Sequence, residues 1–553
     1  MNVVRSNAMR CGIIAALAVV CPAVSVVAQP DSVAVEYTIG LHEPQTQYVE
    51  MTATFHDLTG DVLDVHLPTW RPGRYVILDF AGTITGVSAE SGDGSALVIE
   101  KTAKSSWRVD LGGSTQATIR YRVYANSLGD RTRHVDDSHA FLDGSSVFAY
   151  VKGRRDEPVT LTVEPFDGWR VTTGLSPSDE STHTYAASGY DELIDCPLEI
   201  GTHELREFDV AGVPHELAIW GRAHHDLSGI EGDIAKVIEA QHTFWGGFPY
   251  ERYVLLLHIG SGGGATEHRN SAILQVGRDA FERPKAYRDF LRLVSHEVFH
   301  AWNVKALRPA GISPYRYDRE NYTKLLWVSE GSTSYYADII LVRAGLMTPD
   351  VYLKKLGERI DEFRRRPGRH VQSLEASSFD AWIKFNKATA DEQNSTVSFY
   401  AKGALVSWML DFELRLRTKN RVSYDTVLAS MYRDFPLAGG GFTPEDLLAT
   451  IERLAASDFG AFWRDYISGT RDLDLESCAS IAGLSLVLKA DREDEDDEVD
   501  SERELNDEDG PIEVQPDLGI KLRDAHGRWV VDFVRSDGPA YQAGVIAGDE
   551  LLA

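Results

Sequence analysis

Apolar and polar residues alternate in short runs along the first third of the chain. Ser32–Ile39, Tyr48–Phe55, Ala117–Ala125 and Pro158–Glu164 each show the period of two that turns one strand face into a core, and Gly, Asp and Pro separate them. Strands in this arrangement predict an antiparallel β-sandwich over residues 30–205. Near Leu205 the texture changes. Tyr253–Ile259, apolar but for His258, is a buried-type strand, followed by the glycine-rich Gly260–Gly264 and a second strand, Ser271–Val276. Helical periods then predict helices over Lys285–Asn303, Lys324–Ala344 and Thr348–Arg364. Further helices follow over Tyr400–Arg415, Ser423–Phe435, Pro444–Ala456 and Phe459–Ile467. Residues 206–477 therefore read as one unit, α/β to about residue 320 and helical beyond it. Self-similarity at the spacing of helical or strand repeats is missing, which argues against a solenoid.

The two ends carry a different kind of information. Arg5 and Arg10 precede the apolar run Cys11–Val20, and Val26-Val27-Ala28 offers small residues for cleavage, so residues 1–28 read as a signal peptide of a periplasmic or secreted protein. The alternative is an uncleaved anchor, but Pro22 interrupts the run before it reaches the ~20 apolar residues that a span needs. Cys21 follows the bulky Val20, which fits a lipoprotein signal poorly. At the other end, residues 478–553 combine an acidic stretch with a small β-rich segment. Between Asp491 and Asp509 stand thirteen acids and two bases, so the stretch 491–510 is expected to be a solvated, disordered insertion. Leu518-Gly519-Ile520, Trp529–Val534 and the glycines around Pro539 then suit a β module that stops within a strand at Leu551-Leu552-Ala553, as a fragment would.

Composition narrows the function classes. At 553 residues the chain exceeds what one core organises, and its 43% hydrophobic and 25% charged residues are those of a folded protein. A formal charge of −28 argues against nucleic acid or an anionic membrane surface as partner. Beyond the leader only Cys196 and Cys478 remain. They are far apart in sequence and read as buried free thiols, with a single disulfide as the alternative.

The chemistry centres on Ser295-His296-Glu297-Val298-Phe299-His300. Residues four apart on a helix lie one above the other, so His296 and His300 can bind one zinc ion while Glu297 reaches a metal-bound water as general base. Such a site needs a third protein ligand. Glu330, between Trp327 and Tyr335 on a helical segment, is the stronger candidate; Glu320, in a polar loop-like stretch, is its rival.

The run His296–Pro309 (HEVFHAWNVKALRP), the pair Glu330-Gly331 and the segment Ser398–Gly403 (SFYAKG) resemble the glycyl aminopeptidase family of zinc peptidases, distant relatives of the aminopeptidase N and thermolysin groups. The likeness extends to Trp70–Tyr75 (WRPGRY) and Arg131–Phe148, and the terminal module resembles the first part of a PDZ domain. It implies a thermolysin-like catalytic domain with one zinc per chain on His296, His300 and Glu330. It also implies a cleft-side strand at Gly263, Gly264 and Glu267, where Glu267 grips the α-amino group of the substrate. Ala265-Thr266 departs from the Gly-Leu that the family more often has there, and an ion pair of Glu267 with Arg269 is the competing reading. Tyr400 falls on the tyrosine that donates to the oxyanion in related aminopeptidases. Phe399 or Tyr400 could face inward, and Lys402 could pair with a carboxylate or cap the turn.

Together these point to an aminopeptidase that cleaves after small N-terminal residues, Gly or Ala, of peptides with a free N-terminus. Two alternatives stand beside it: a zinc endopeptidase using the PDZ-like module for substrate tails, and a non-catalytic peptide-binding scaffold.

Overall fold

The computed structural model describes residues 34–260, 262–487 and 517–552; the leader and the acidic stretch read from the sequence lie outside them. Val35–Gly40, Tyr48–Phe55 and Ala117–Tyr124 form the centre of an eight-stranded sheet. Alternation acts as expected there: Val49, Met51, Ala53 and Phe55 are buried while Glu50 is exposed. Two features depart from an antiparallel sandwich. The β-rich unit has three sheets, of eight, five and four strands, and Val35–Gly40 runs parallel to Val159–Glu164. Parallel neighbours need a long connection. Here the intervening chain builds the whole four-stranded sheet and three strands of the five-stranded one before it returns.

A further five-stranded sheet carries the centre of the second unit. Val213–Gly221, Tyr253–Ile259 and Ser271–Val276 run parallel, with Glu204–Val210 antiparallel at one edge and Gly264–Glu267 antiparallel at the other. All seven residues of Tyr253–Ile259 are buried. One face of this strand meets Phe141 of the β-rich unit through Val254 and Leu256, and the opposite face joins the main core with the helices Ile230–Trp245 and Pro284–Phe299. Burial on both faces accounts for the run being apolar at all positions but His258.

The helices start where local capping dictates. Thr348, Ser423 and Thr443 each accept a backbone N–H at the head of the helices Pro349–Arg364, Tyr424–Asp434 and Pro444–Ala455. Two expected spans are corrected. The helix expected over Lys285–Asn303 ends at Phe299, and the one over Lys324–Ala344 opens as a π-helical turn, Trp327–Ser332, before the α-helix Thr333–Arg343. Both departures lie at the functional site. Cys196 and Cys478 are buried and unpaired. Among the described residues no helix is long and apolar enough to cross a membrane.

Ile520–Asp524 and Trp529–Val534 pair as an antiparallel ribbon, and Val531, Val534 and Ala540 form its small core. Asn394 holds this ribbon to the helical unit, donating to the Val534 carbonyl at 2.9 Å and accepting from the Ser536 N–H at 2.8 Å.

The β-rich unit and the helical unit share one continuous core. Trp70 is fully buried where they meet: its indole N–H donates to the Arg316 carbonyl at 2.8 Å, and its ring stands edge-on to Trp382 at 5.1 Å. Trp70→Ala should cost about 3–5 kcal/mol of unfolding free energy in urea titration; an unchanged midpoint would show that the units dock without it.

Candidate functional site

The motif helix Pro284–Phe299 buries Phe290, Leu291, Val294 and Val298 against the core. This leaves His296 on the cleft side and His300 as the helix cap one turn on. The His300 Nδ1–H donates to the Asn303 carbonyl at 2.8 Å. A carbonyl can only accept, so the free lone pair of the neutral ring is on Nε2. Nε2 lies 3.1 Å from His296 Nε2 and 3.3 Å from Glu330 Oε2, and His296 Nε2 lies 3.6 Å from the same oxygen. Ligand atoms held 2.0–2.1 Å from one tetrahedral ion are about 3.3 Å apart. Two imidazole nitrogens and a carboxylate oxygen converging at these distances form a donor set that fits a divalent cation of the zinc type. Glu320 stays in a half-buried loop, outside this group.

Glu330 reaches the histidines because of the π turn. Its wider turn is common at functional positions. Asn303 ties the turn to the motif helix: its amide donates to the Val328 carbonyl at 2.8 Å and to Thr333 Oγ1 at 3.0 Å, while its carbonyl orients His300. On the other side, Gly331 crosses Gly403 of the helix Ala401–Thr418, and a Cβ on Gly331 would stand 2.6 Å from Gly403 Cα. Only paired glycines permit this approach, and it sets Tyr400, at the head of that helix, beside the donor set. The rings of Tyr400 and His296 lie 6.2 Å apart. Phe399 is the residue that faces the core.

Glu297 and Glu267 complete the cleft. Both are buried, and one ligand atom each from Glu267, Glu297 and His300 lie within 4.8 Å of one another. Glu267 ends the edge strand and does not pair with Arg269, whose guanidinium lies 3.6 Å from Glu192. Its nearest cation is Lys305, at 4.0 Å, which is bound more closely to Asp195, at 2.7 Å. Gly73 of the Trp70–Tyr75 segment covers the Glu267 carboxylate: at φ +83° it leaves room where a Cβ would be 2.7 Å from both oxygens. Gly264 similarly lets the strand pass Asp130, 3.1 Å from where its Cβ would be, whereas Gly263 is exposed and open. Arg131 fastens the strand by donating to the Ala265 carbonyl at 2.9 Å.

Electrostatics follow from burying several carboxylates together. Burial, with repulsion from Glu267 and Glu330, pushes the Glu297 carboxyl up to about 8 against the pull of His300. Burial also pushes Glu330 up, but the His300 charge and the hydrogen bonds of both histidines hold it below the usual carboxylate range. His300 is lowered by burial yet raised to about 9 overall by Glu330, while burial takes His296 down to about 4. Burial and the nearby Glu330 charge raise Tyr400 well above a free phenol. The raised values at Glu297 and His300 mean that the clustered carboxylates favour a proton or another positive charge among them.

The sequence reading did not assign roles to Gly73, Asn303, Lys305 or Asp195. Asn303 and Lys305 stand inside the quoted run His296–Pro309, and an uncommon polar pair among Trp302, Val304 and Leu307 was the signal. Lys402 neither pairs nor caps: it is buried, its Nζ has no hydrogen-bond partner among the described residues, and burial lowers it to about 8.

The fold is that of the M1-type metallopeptidases. An M1 zinc metallopeptidase from Deinococcus radiodurans superposes with a TM-score of 0.51 at 14% identity, over 80% of this chain and 94% of that one. A variant of the same enzyme with a bound Tyr-Ser-Ala substrate gives 0.50 at 13% identity, over 79% and 94%. More specifically, the chain belongs to the M61 glycyl aminopeptidase family, whose peptidase model matches residues 289–406 and whose N-terminal domain model matches residues 36–202. An aminopeptidase N family protein from Idiomarina loihiensis matches with a TM-score of 0.85 and 30% identity, covering 94% of this chain and 89% of that one. No curated protein matches.

Gly331→Ala should lower stability by about 1–3 kcal/mol, because the added methyl meets backbone that cannot swing aside. Chemical denaturation would read it, and full stability would mean that the helices separate freely.

Proposed function

We propose that the chain is a zinc-dependent aminopeptidase that releases small N-terminal residues, glycine or alanine, from peptides. The observation that carries this reading is the convergence of His296 Nε2, His300 Nε2 and Glu330 Oε2 within 3.1–3.6 Å, with Glu297 and Glu267 buried beside them. His296, His300 and Glu330 would hold one zinc ion, which when bound polarises a carbonyl and makes a water more acidic. Glu297, next to His296 on the same helix, takes the proton of the attacking water and passes it to the leaving amine. The Tyr400 hydroxyl donates to the carbonyl oxygen as charge develops on it. Glu267 accepts hydrogen bonds from the substrate's α-ammonium, and this fixes cleavage at the first residue. The Gly73 backbone closes the space over Glu267, which, with the family's description, supports a small first residue.

The same reading divides the chain at residues 205 and 477, treats the terminal ribbon as part of a PDZ-like module, and sends the protein out of the cytoplasm behind a signal peptide. It favours an exopeptidase over an endopeptidase because a buried carboxylate blocks the path of a continuing chain.

Hydrolysis of glycyl and alanyl anilides should stop with a chelator and fall about 10²–10⁴-fold in Glu297→Gln. N-acetylated substrates should stay intact; their cleavage would convert the reading to endopeptidase. Asn303→Ala should weaken zinc binding about 10–100-fold in competition with a chromogenic chelator, since it releases the turn that carries Glu330 while keeping the main-chain carbonyl that holds His300. Unchanged affinity would remove Asn303 from the support of the site.

A further inference from the structure

A second group of ligand atoms lies at the junction of the β-rich unit with the second sheet. One atom each from His134, Asp136 and His139 fall within 4.8 Å of one another. His134 Nε2 is 3.1 Å from Asp136 Oδ2, a ligand-to-ligand separation like that of the two motif histidines. The other Asp136 oxygen is fully engaged: Oδ1 accepts from Ser138 N at 2.8 Å, Ser138 Oγ at 2.7 Å and His139 N at 3.1 Å. That turn fixes the carboxylate and leaves Oδ2 with His134 alone.

His139 is the most informative member. Its side chain is completely buried, and Nδ1 is 2.9 Å from Glu199 Oε1. Glu199 lies between two imidazoles, its Oε2 2.8 Å from His258 Nε2. An ionised carboxylate only accepts, so His139 Nδ1 carries the proton and a neutral ring has its lone pair on Nε2. That Nε2 is buried and has no hydrogen-bond partner among the described residues. The Trp220 ring stacks on the imidazole at 3.7 Å and 15°, which locks its orientation. A histidine whose outer nitrogen is tied to a carboxylate, with the inner one free, is how proteins present an imidazole to a metal. His300 is prepared in the same way by the Asn303 carbonyl.

The neighbouring triad His139, Glu199 and His258 satisfies the same proximity condition but is a poorer site. Gln275 Nε2 donates to His258 Nδ1 at 3.2 Å, so His258 Nε2 is protonated where it meets Glu199 Oε2 at 2.8 Å. That triad is a hydrogen-bonded support behind His139. The outer triad, by contrast, has access to water, since the side chains of His134 and Asp136 are 13% and 35% exposed.

We propose that His134, Asp136 and His139 form a second, non-catalytic site for a divalent transition-metal ion such as zinc, with solvent completing its coordination. Two imidazoles and one carboxylate suit such an ion better than magnesium or calcium, which prefer oxygen ligands alone. The ion would brace the β-rich side of the junction: His134, Asp136 and His139 all come from the β-rich unit, and Trp220 from the second sheet packs on His139.

The test is zinc stoichiometry of the full chain, stripped with chelator and brought to equilibrium dialysis against Zn²⁺. The native chain should hold about two equivalents, and His134→Ala and Asp136→Asn about one each, since each loses a ligand. Asp136→Asn keeps the turn-accepting oxygen, so it reads out the site even if His134→Ala misfolds. Glu330→Ala should also retain about one equivalent, held by the second site and lost when His134→Ala is added. A native chain with one equivalent, of which Glu330→Ala retains none, would overturn the proposal. So would a second equivalent indifferent to both His134→Ala and Asp136→Asn. A chain whose zinc responds to His134 but not to Glu330 would instead overturn the proposed peptidase centre and leave this site standing.

Discussion

Three lone pairs must point at one place, and the cleft is organised around that requirement. Two imidazole nitrogens 3.1 Å apart repel unless a proton or a cation lies between them. The protein opposes that repulsion with a carboxylate and with burial of the whole group. The helix places the two rings four residues apart, but helical geometry alone does not bring up the third donor. That takes the π turn at Trp327–Ser332, the Asn303 side chain that bridges to it, and the glycine crossing that seats it against the next helix. Each is a small local concession, and together they fix three chain segments at one point.

The same burial sets the acid–base character of the neighbours. Glu297, Glu267 and Glu330 share a space with little water, and they separate in behaviour according to partner. Glu330 keeps its charge through the histidines, whereas Glu297, which no hydrogen bond relieves among the described residues, is pushed towards neutrality. Two carboxylates of similar chemistry thereby differ in state: one keeps its charge beside the histidines and the other favours its proton. Asp195 and Lys305 do the quieter work of holding the edge strand's surroundings, since their pairing leaves Glu267 with only a distant cation.

Much of this was legible in the sequence, for identifiable reasons. Periodicity located Tyr253–Ile259 and Ser271–Val276 to the residue because a strand buried on both faces is apolar at most positions, with His258, Ser271 and Gln275 as buried exceptions. The histidine spacing and the acidic residue thirty positions later stood out because polar residues are rare inside apolar helical runs. What was not legible depends on contacts between distant segments. The parallel strand Val159–Glu164 obeys the same alternation as an antiparallel one, so only the long connection reveals its direction. A π turn has the composition of an α-helix. Asn303 shows its use only when Val328 is placed beside it, and Gly73 only when Glu267 is. Arg269 was the plausible partner of Glu267 by adjacency, but the strand ends at Glu267, and Arg269, in the turn beyond it, pairs with Glu192 instead.

Gly73 belongs to one folding unit and the carboxylate it covers to another. The wall over that carboxylate is therefore shared property, and its position depends on how the two units pack within their common core at Trp70. In an enzyme of this construction, selectivity can drift without any change among the residues that touch the substrate. A substitution deep in the seam between the units acts on the space over Glu267 through the position of Gly73. The smallest heritable unit of specificity here is an interface.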